Sequence, residues 1–157
     1  MEIRSMELGG RTGHEAGRLL LSQMYWEKTG RPMPPVLVQE RGKPYFGEGS
    51  VHFSITHTKR RVLCVLAEKP VGIDAEEMDR QIDLRLAEKI LSPGERRQYE
   101  AAPDKRLALL RFWVLKEALA KCSGEGLRGY PRQTELSLDD PRIKILDGCL
   151  VAVVREK

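Results

Sequence analysis

Short alternating stretches and two longer runs at helical spacing divide this chain. Residues 14–28 bring Leu19, Leu20, Met24 and the pair Tyr25-Trp26 into a helical pattern, closed by Gly30 with Pro32 beyond it. Pro34-Pro35 leads into a short strand over 36–39, and Arg41-Gly42-Lys43-Pro44 is a turn. Residues 52–55, 62–66 and 71–76 predict three further strands, with Lys69-Pro70 joining the last two as a tight hairpin. A helix is expected over 83–91. Ser92, Pro93 and Glu95 then fall at the N-cap, N1 and N3 places of another. The longest helix is predicted over 104–122. Leu109, Phe112, Trp113 and Leu119 supply part of its apolar face, Lys105, Arg106 and Arg111 part of its polar one. Ser123-Gly124-Glu125-Gly126 stops it. Strands over 134–138, 142–146 and 150–155 complete the pattern, the last two joined at Asp147-Gly148.

No composition break or short-period repeat divides the 157 residues, so a single domain over 1–157 is expected, long enough to bury a core. Hydrophobic residues make up 41% and charged residues 32%, the balance of a globular protein. No apolar run is longer than that of residues 62–67, which is far short of a membrane span. The opening segment carries acids and no apolar core, so no signal peptide is expected. Cys64, Cys122 and Cys149 are scattered and odd in number. They predict reduced thiols in a cytoplasmic protein and offer no zinc motif. The net charge of +4 lies wholly in residues 1–61, which hold ten Lys/Arg against six Asp/Glu. That excess suits an anionic ligand, and equally a solvated face. Basic runs with interleaved aromatics are missing, so nucleic acid is not an expected partner.

Candidate chemistry concentrates in two segments. In Val71-Gly72-Ile73-Asp74-Ala75-Glu76 the two acids stand at i and i+2 of a strand and point the same way. In the long helix, Glu117 and Lys121 stand at i and i+4 and share a face. A lone Asp-x-Glu is usually a solvent face, and an i,i+4 Glu–Lys pair is a common surface decoration. Here Val71 and Ile73 flank the first, and the apolar run 107–120 surrounds the second. Three carboxylates and an amine meeting at one place would suit a hard cation on a phosphate. His57 follows a strand between two threonines, with Lys59-Arg60-Arg61 behind it, so an anion contact is expected there. Lys116 reads from its position as a flanking residue that snorkels. Glu95 is accounted for as the N3 acid of a capping box, with a catalytic role the competing reading. A nucleophile elbow, P-loop or dinucleotide fingerprint does not occur.

Taken together, Gly42-Lys43-Pro44, the stretch 53–58, the stretch 71–76, Ile90-Leu91-Ser92-Pro93-Gly94-Glu95, Phe112-Trp113-Val114-Leu115-Lys116-Glu117 with Lys121, and Gly124-Glu125-Gly126-Leu127 resemble the 4′-phosphopantetheinyl transferases of the surfactin-synthetase-activating type. The ordered motifs span 42–127. The sequence departs from that type in having threonines rather than serines around His57, and in a short amino-terminal part.

The resemblance implies an α+β fold of two pseudo-symmetric halves, roughly 1–66 and 67–157, each an antiparallel sheet on a long helix. It implies transfer of the phosphopantetheine arm of coenzyme A to a serine of an apo acyl or peptidyl carrier protein. Asp74, Glu76 and Glu117 would hold Mg²⁺, with Glu117 also counted as catalytic. Lys121 would contact phosphate and assist the leaving group, and Glu95 would be the base. Arg18, Lys43, Thr56, His57, Lys116 and Lys121 would bind coenzyme A. The rival reading is a catalytically idle homologue that only binds coenzyme A or carrier protein. A Mg²⁺-dependent phosphohydrolase fits the acids but not the ordered motifs.

Overall fold

The computed structural model describes residues 1–126 and 135–157. Helices pack on two three-stranded antiparallel sheets. The first sheet runs β1 (Glu2–Glu7), β5 (Arg61–Ala67), β4 (His52–His57); the second runs β6 (Val71–Glu77), β8 (Cys149–Arg155), β7 (Ile143–Leu146). A small ribbon joins β2 (Val36–Val38) to β3 (Pro44–Phe46). The helices are α1 (Gly13–Thr29), a 3-10 turn at Leu84–Leu86 running into α2 (Ala87–Ile90), α3 (Pro93–Ala101) and α4 (Lys105–Ser123).

Local chemistry accounts for the element ends. Thr12 and Glu15 form a reciprocal capping box at the start of α1, and Ser92 and Glu95 do so at the start of α3. Asp104 accepts the Leu107 N–H at the start of α4, and Gly124 closes that helix at φ 76°. Asp147 and Gly148 both have positive φ, the geometry a two-residue hairpin between β7 and β8 requires.

Strand alternation then distributes the cores. Val62, Cys64 and Leu66 of β5 face α1, while Leu63, Val65 and Ala67 join a cluster shared between the sheets. Leu150, Ala152 and Val154 of β8 face α4, while Cys149, Val151 and Val153 enter the same shared cluster. On β6 it is Val71, Ile73 and Ala75 that face this cluster. Gly72, Asp74 and Glu76 are thereby turned toward α4. Each fully buried leucine or valine stabilises the layering by about 1.5–3 kcal/mol.

Two expectations are corrected. β5 and β6 do not form a hairpin: β5 is paired on both sides, by β1 and β4, so no edge remains for β6, which pairs with β8 instead. Residues 135–138 form no strand. Their backbone groups are taken by side chains, with Leu136 N–H donating to Glu95 and Leu138 N–H to Gln98. Thr134 and Leu127 lie outside the described residues. Two strands were not expected, β1 and the short β3 that continues past the Arg41–Pro44 turn.

Candidate active site

The site begins with a glycine. A Cβ at Gly72 would lie 2.1 Å from the Ala118 carbonyl oxygen and 2.4 Å from the Cys122 nitrogen. The backbones of β6 and α4 therefore touch, as only glycine allows. Asp74 and Glu76 then reach the stripe of Trp113, Glu117 and Lys121, spaced four residues apart on α4. Asp74 is buried. Its Oδ1 accepts from Lys121 Nζ at 2.7 Å and from Thr56 Oγ1 at 3.2 Å. Its Oδ2 is buried without a hydrogen-bond partner, which no other side-chain oxygen or nitrogen among the described residues is. Glu76 accepts from Arg80 Nη1 and from Trp113 Nε1 at 3.3 Å, and the Arg80 guanidinium lies 5.9 Å over the Trp113 ring.

Burial raises the pKa of all three acids, against the pull of Lys121 and Arg80. For Glu117 the charge of Asp74 is the next cause after burial, and Glu76 adds to it. For Glu76 the charge of Asp74 adds likewise. Three carboxylates thus repel one another across one small region, with two cations set among them.

As the side chains lie, no three His, Cys, Asp or Glu among the described residues form a group that could hold a metal ion. Asp74 is turned to Lys121 and Glu76 to Arg80. The donor set nevertheless suits Mg²⁺: all three groups are hard carboxylate oxygens, and the orphaned Asp74 Oδ2 is a buried acceptor with no hydrogen-bond donor.

A run of adjoining hollows borders the acids. Lys43, Glu117 and Lys121 line one of about 220 Å³. It shares Pro44, Phe53 and Ile55 with a second of about 200 Å³, which includes Arg18 and His57. His57 in turn lines a cleft of about 730 Å³ with Lys59, Arg60, Glu76 and Arg80. The exposed His57 ring lies against Gly13, where a Cβ would come within 2.3 Å of it. Lys43 donates Nζ to the Cys122 carbonyl at 2.5 Å, and burial lowers its pKa. Lys43, Arg18, His57, Glu117 and Lys121 therefore border adjoining hollows.

Thr56, Glu95 and Lys116 do not. Thr56 is buried, and its hydroxyl orients Asp74 rather than facing a ligand. With Ser54, which accepts the Ile73 N–H at 3.1 Å, and Thr58, which donates to Glu77 at 2.6 Å, it forms a row of hydroxyls bridging β4 to β6. Glu95 is 0% exposed. It accepts from Ser92 N–H at 2.9 Å, Leu136 N–H at 3.1 Å and Lys116 Nζ at 2.9 Å. Lys116, 4% exposed, is its counterion and does not snorkel. A carboxylate so enclosed presents no face to a substrate hydroxyl, so this geometry gives Glu95 a structural place rather than the expected role of base. Its capping-box position was the signal for that. Arg80 was not anticipated at all: it lies in a turn, where no periodicity points to it.

The model of the 4′-phosphopantetheinyl transferase superfamily matches residues 70–148. The chain is 33% identical over 119 residues to a 4′-phosphopantetheinyl transferase of Bacillus subtilis, covering 74% of this chain and 50% of that protein. It is 34% identical over 114 residues to 4′-phosphopantetheinyl transferase AcpT of Salmonella typhi, covering 69% and 57%. To 4′-phosphopantetheinyl transferase HetI of a Nostoc strain it is 30% identical over 129 residues, covering 80% and 49%. The chain belongs to the 4′-phosphopantetheinyl transferase superfamily. It spans about half the length of the curated relatives it matches.

Proposed function

We propose that the chain transfers the 4′-phosphopantetheine arm of coenzyme A to a serine hydroxyl of an apo acyl or peptidyl carrier protein, releasing adenosine 3′,5′-bisphosphate. The observation that carries this reading is Asp74: a buried carboxylate with one oxygen on Lys121 and the other without a partner, beside two further acids. Asp74, Glu76 and Glu117 would hold Mg²⁺. The ion, when bound, neutralises the pyrophosphate.

The remaining steps belong to the chain. Lys121 stands where its ammonium meets the phosphates, and gives a proton or hydrogen bond to the bridging oxygen that leaves with the bisphosphate. The serine oxygen forms the new bond to phosphorus, and its proton passes to water, since Glu95 is enclosed. Thr56 holds Asp74 in place. Arg18, Lys43 and His57 line the hollows in which the nucleotide end lies. Phosphoryl transfer asks the protein mainly for alignment and charge, and these residues supply both.

The fold supports a reading as two pseudo-symmetric halves. Each has a strand, a long helix and a hairpin, and the strand orders β1-β5-β4 and β6-β8-β7 match step for step. The described residues contain no helix long and apolar enough to cross a membrane, and three free buried thiols suit a cytoplasmic setting.

The pairing of Asp74 with Lys121 and of Glu76 with Arg80, which leaves no three of the described carboxylates grouped for an ion, favours a second reading: an idle homologue that binds coenzyme A or carrier protein only. Incubation with apo carrier protein, coenzyme A and Mg²⁺, followed by intact mass spectrometry of the carrier, separates the two. Addition of the arm is the expected result. Coenzyme A binding without mass gain would establish the idle homologue.

A further inference from the structure

Arg80 stands apart from the residues assigned above. Its backbone is fixed. Its N–H donates to the Glu77 carbonyl at 3.0 Å, and Arg106 of α4 donates to the carbonyls of Met78 at 2.9 Å and Arg80 at 3.0 Å. Its side chain is 38% exposed and borders two places at once. One is Glu76, whose carboxylate it pairs while lying over Trp113. The other is the 730 Å³ cleft, where His57, Lys59, Arg60 and Arg11 also stand. The guanidinium charge acts on Asp74, Glu76 and Glu117 alike.

We propose that Arg80 is an exchangeable counterion of the acid cluster: a divalent cation taken up at Glu76 expels the guanidinium, which turns about its fixed backbone into the cleft and binds ligand phosphate there. This rests on reading the three acids as metal ligands and the cleft as phosphate-binding. Two cations cannot share one partly buried carboxylate oxygen without strong repulsion, so ion and guanidinium compete for Glu76. Guanidinium is weakly hydrated and carries a fork of donors matched to phosphate, so leaving a carboxylate for a phosphate suits its chemistry. The bound ion and the phosphate ligand then favour the same setting of Arg80, and each strengthens binding of the other.

The test uses the full chain with Mn²⁺ as probe, the free ion being followed by electron paramagnetic resonance. R80Q removes the competing charge and is expected to bind Mn²⁺ on the order of tenfold more tightly than wild type. R80K keeps a charge and is expected to fall between them. With Mn²⁺ present, calorimetry is expected to give R80Q weaker coenzyme A binding than wild type. Equal or weaker Mn²⁺ binding by R80Q, or undiminished coenzyme A affinity, overturns the exchange. Failure of the wild type to bind Mn²⁺ overturns it together with the metal reading. The expected pattern in a chain that transfers no arm removes the transferase reading and leaves the exchange standing.

Discussion

Burial, and after it the charges of Asp74 and Glu76, raise the pKa of Glu117 above the ordinary carboxylate value. Folding therefore favours its proton. The penalty is absent below the ordinary carboxylate range, grows as pH climbs through it, and is complete once pH passes the raised pKa. E117Q is expected to melt higher than wild type at neutral pH in the absence of divalent ion, with the difference shrinking below the carboxylate range. The same variant is expected to lose transfer activity by about 10²–10³-fold, as when one electrostatic stabiliser is removed. Paired thermal melts and rate measurements check both. A destabilised E117Q would contradict the repulsion. At this scale the sequence was informative where spacing alone decides direction: period two turned Asp74 and Glu76 the same way, and period 3.6 stacked Glu117 and Lys121. It was silent where a contact is distant. Nothing local tells that Thr56 bonds Asp74, or that Lys116 reaches back to Glu95.

Among the elements, the pairing of β6 with α4 sets the geometry of the site. The strand and helix meet backbone to backbone at Gly72, and every distance from Asp74 to Lys121 depends on that approach. G72A would place a methyl group on the Ala118 carbonyl, which belongs to backbone and cannot rotate away. A loss of about 1–3 kcal/mol in urea unfolding is expected from overpacking, with transfer activity reduced as Lys121 moves off Asp74. Unchanged stability and activity in G72A would mean that the two elements tolerate separation. Both elements were legible from hydrophobic pattern and caps. Their neighbours were less so, because pairing is decided by which edges are available. Lys69-Pro70 looks like a hairpin turn, yet β5 already had β1 and β4 on its two edges. β1 carries a weak signal because its alternation is shallow: it mixes Ile3 and Met6 with Glu2, Arg4 and Ser5 and is mostly half-buried.

On the scale of the molecule, two sheets share the core formed by β5, β6 and β8, and the hydroxyls of Ser54, Thr56 and Thr58 tie β4 to β6 across their junction. That junction brings the basic amino-terminal part, with Lys43 and His57, beside acids carried by the carboxyl-terminal part. The excess positive charge read from residues 1–61 is thereby given a place next to the proposed anion site, an arrangement that speeds encounter with anionic ligands. In the proposed site Asp74, Glu76 and Glu117 close on one divalent ion. Calorimetric titration of the full chain with Mg²⁺ tests it most directly, alongside D74N. One ion bound per chain, with binding lost in D74N, is the predicted result. A wild type that takes up no Mg²⁺, or a D74N that binds as wild type does, would contradict the account.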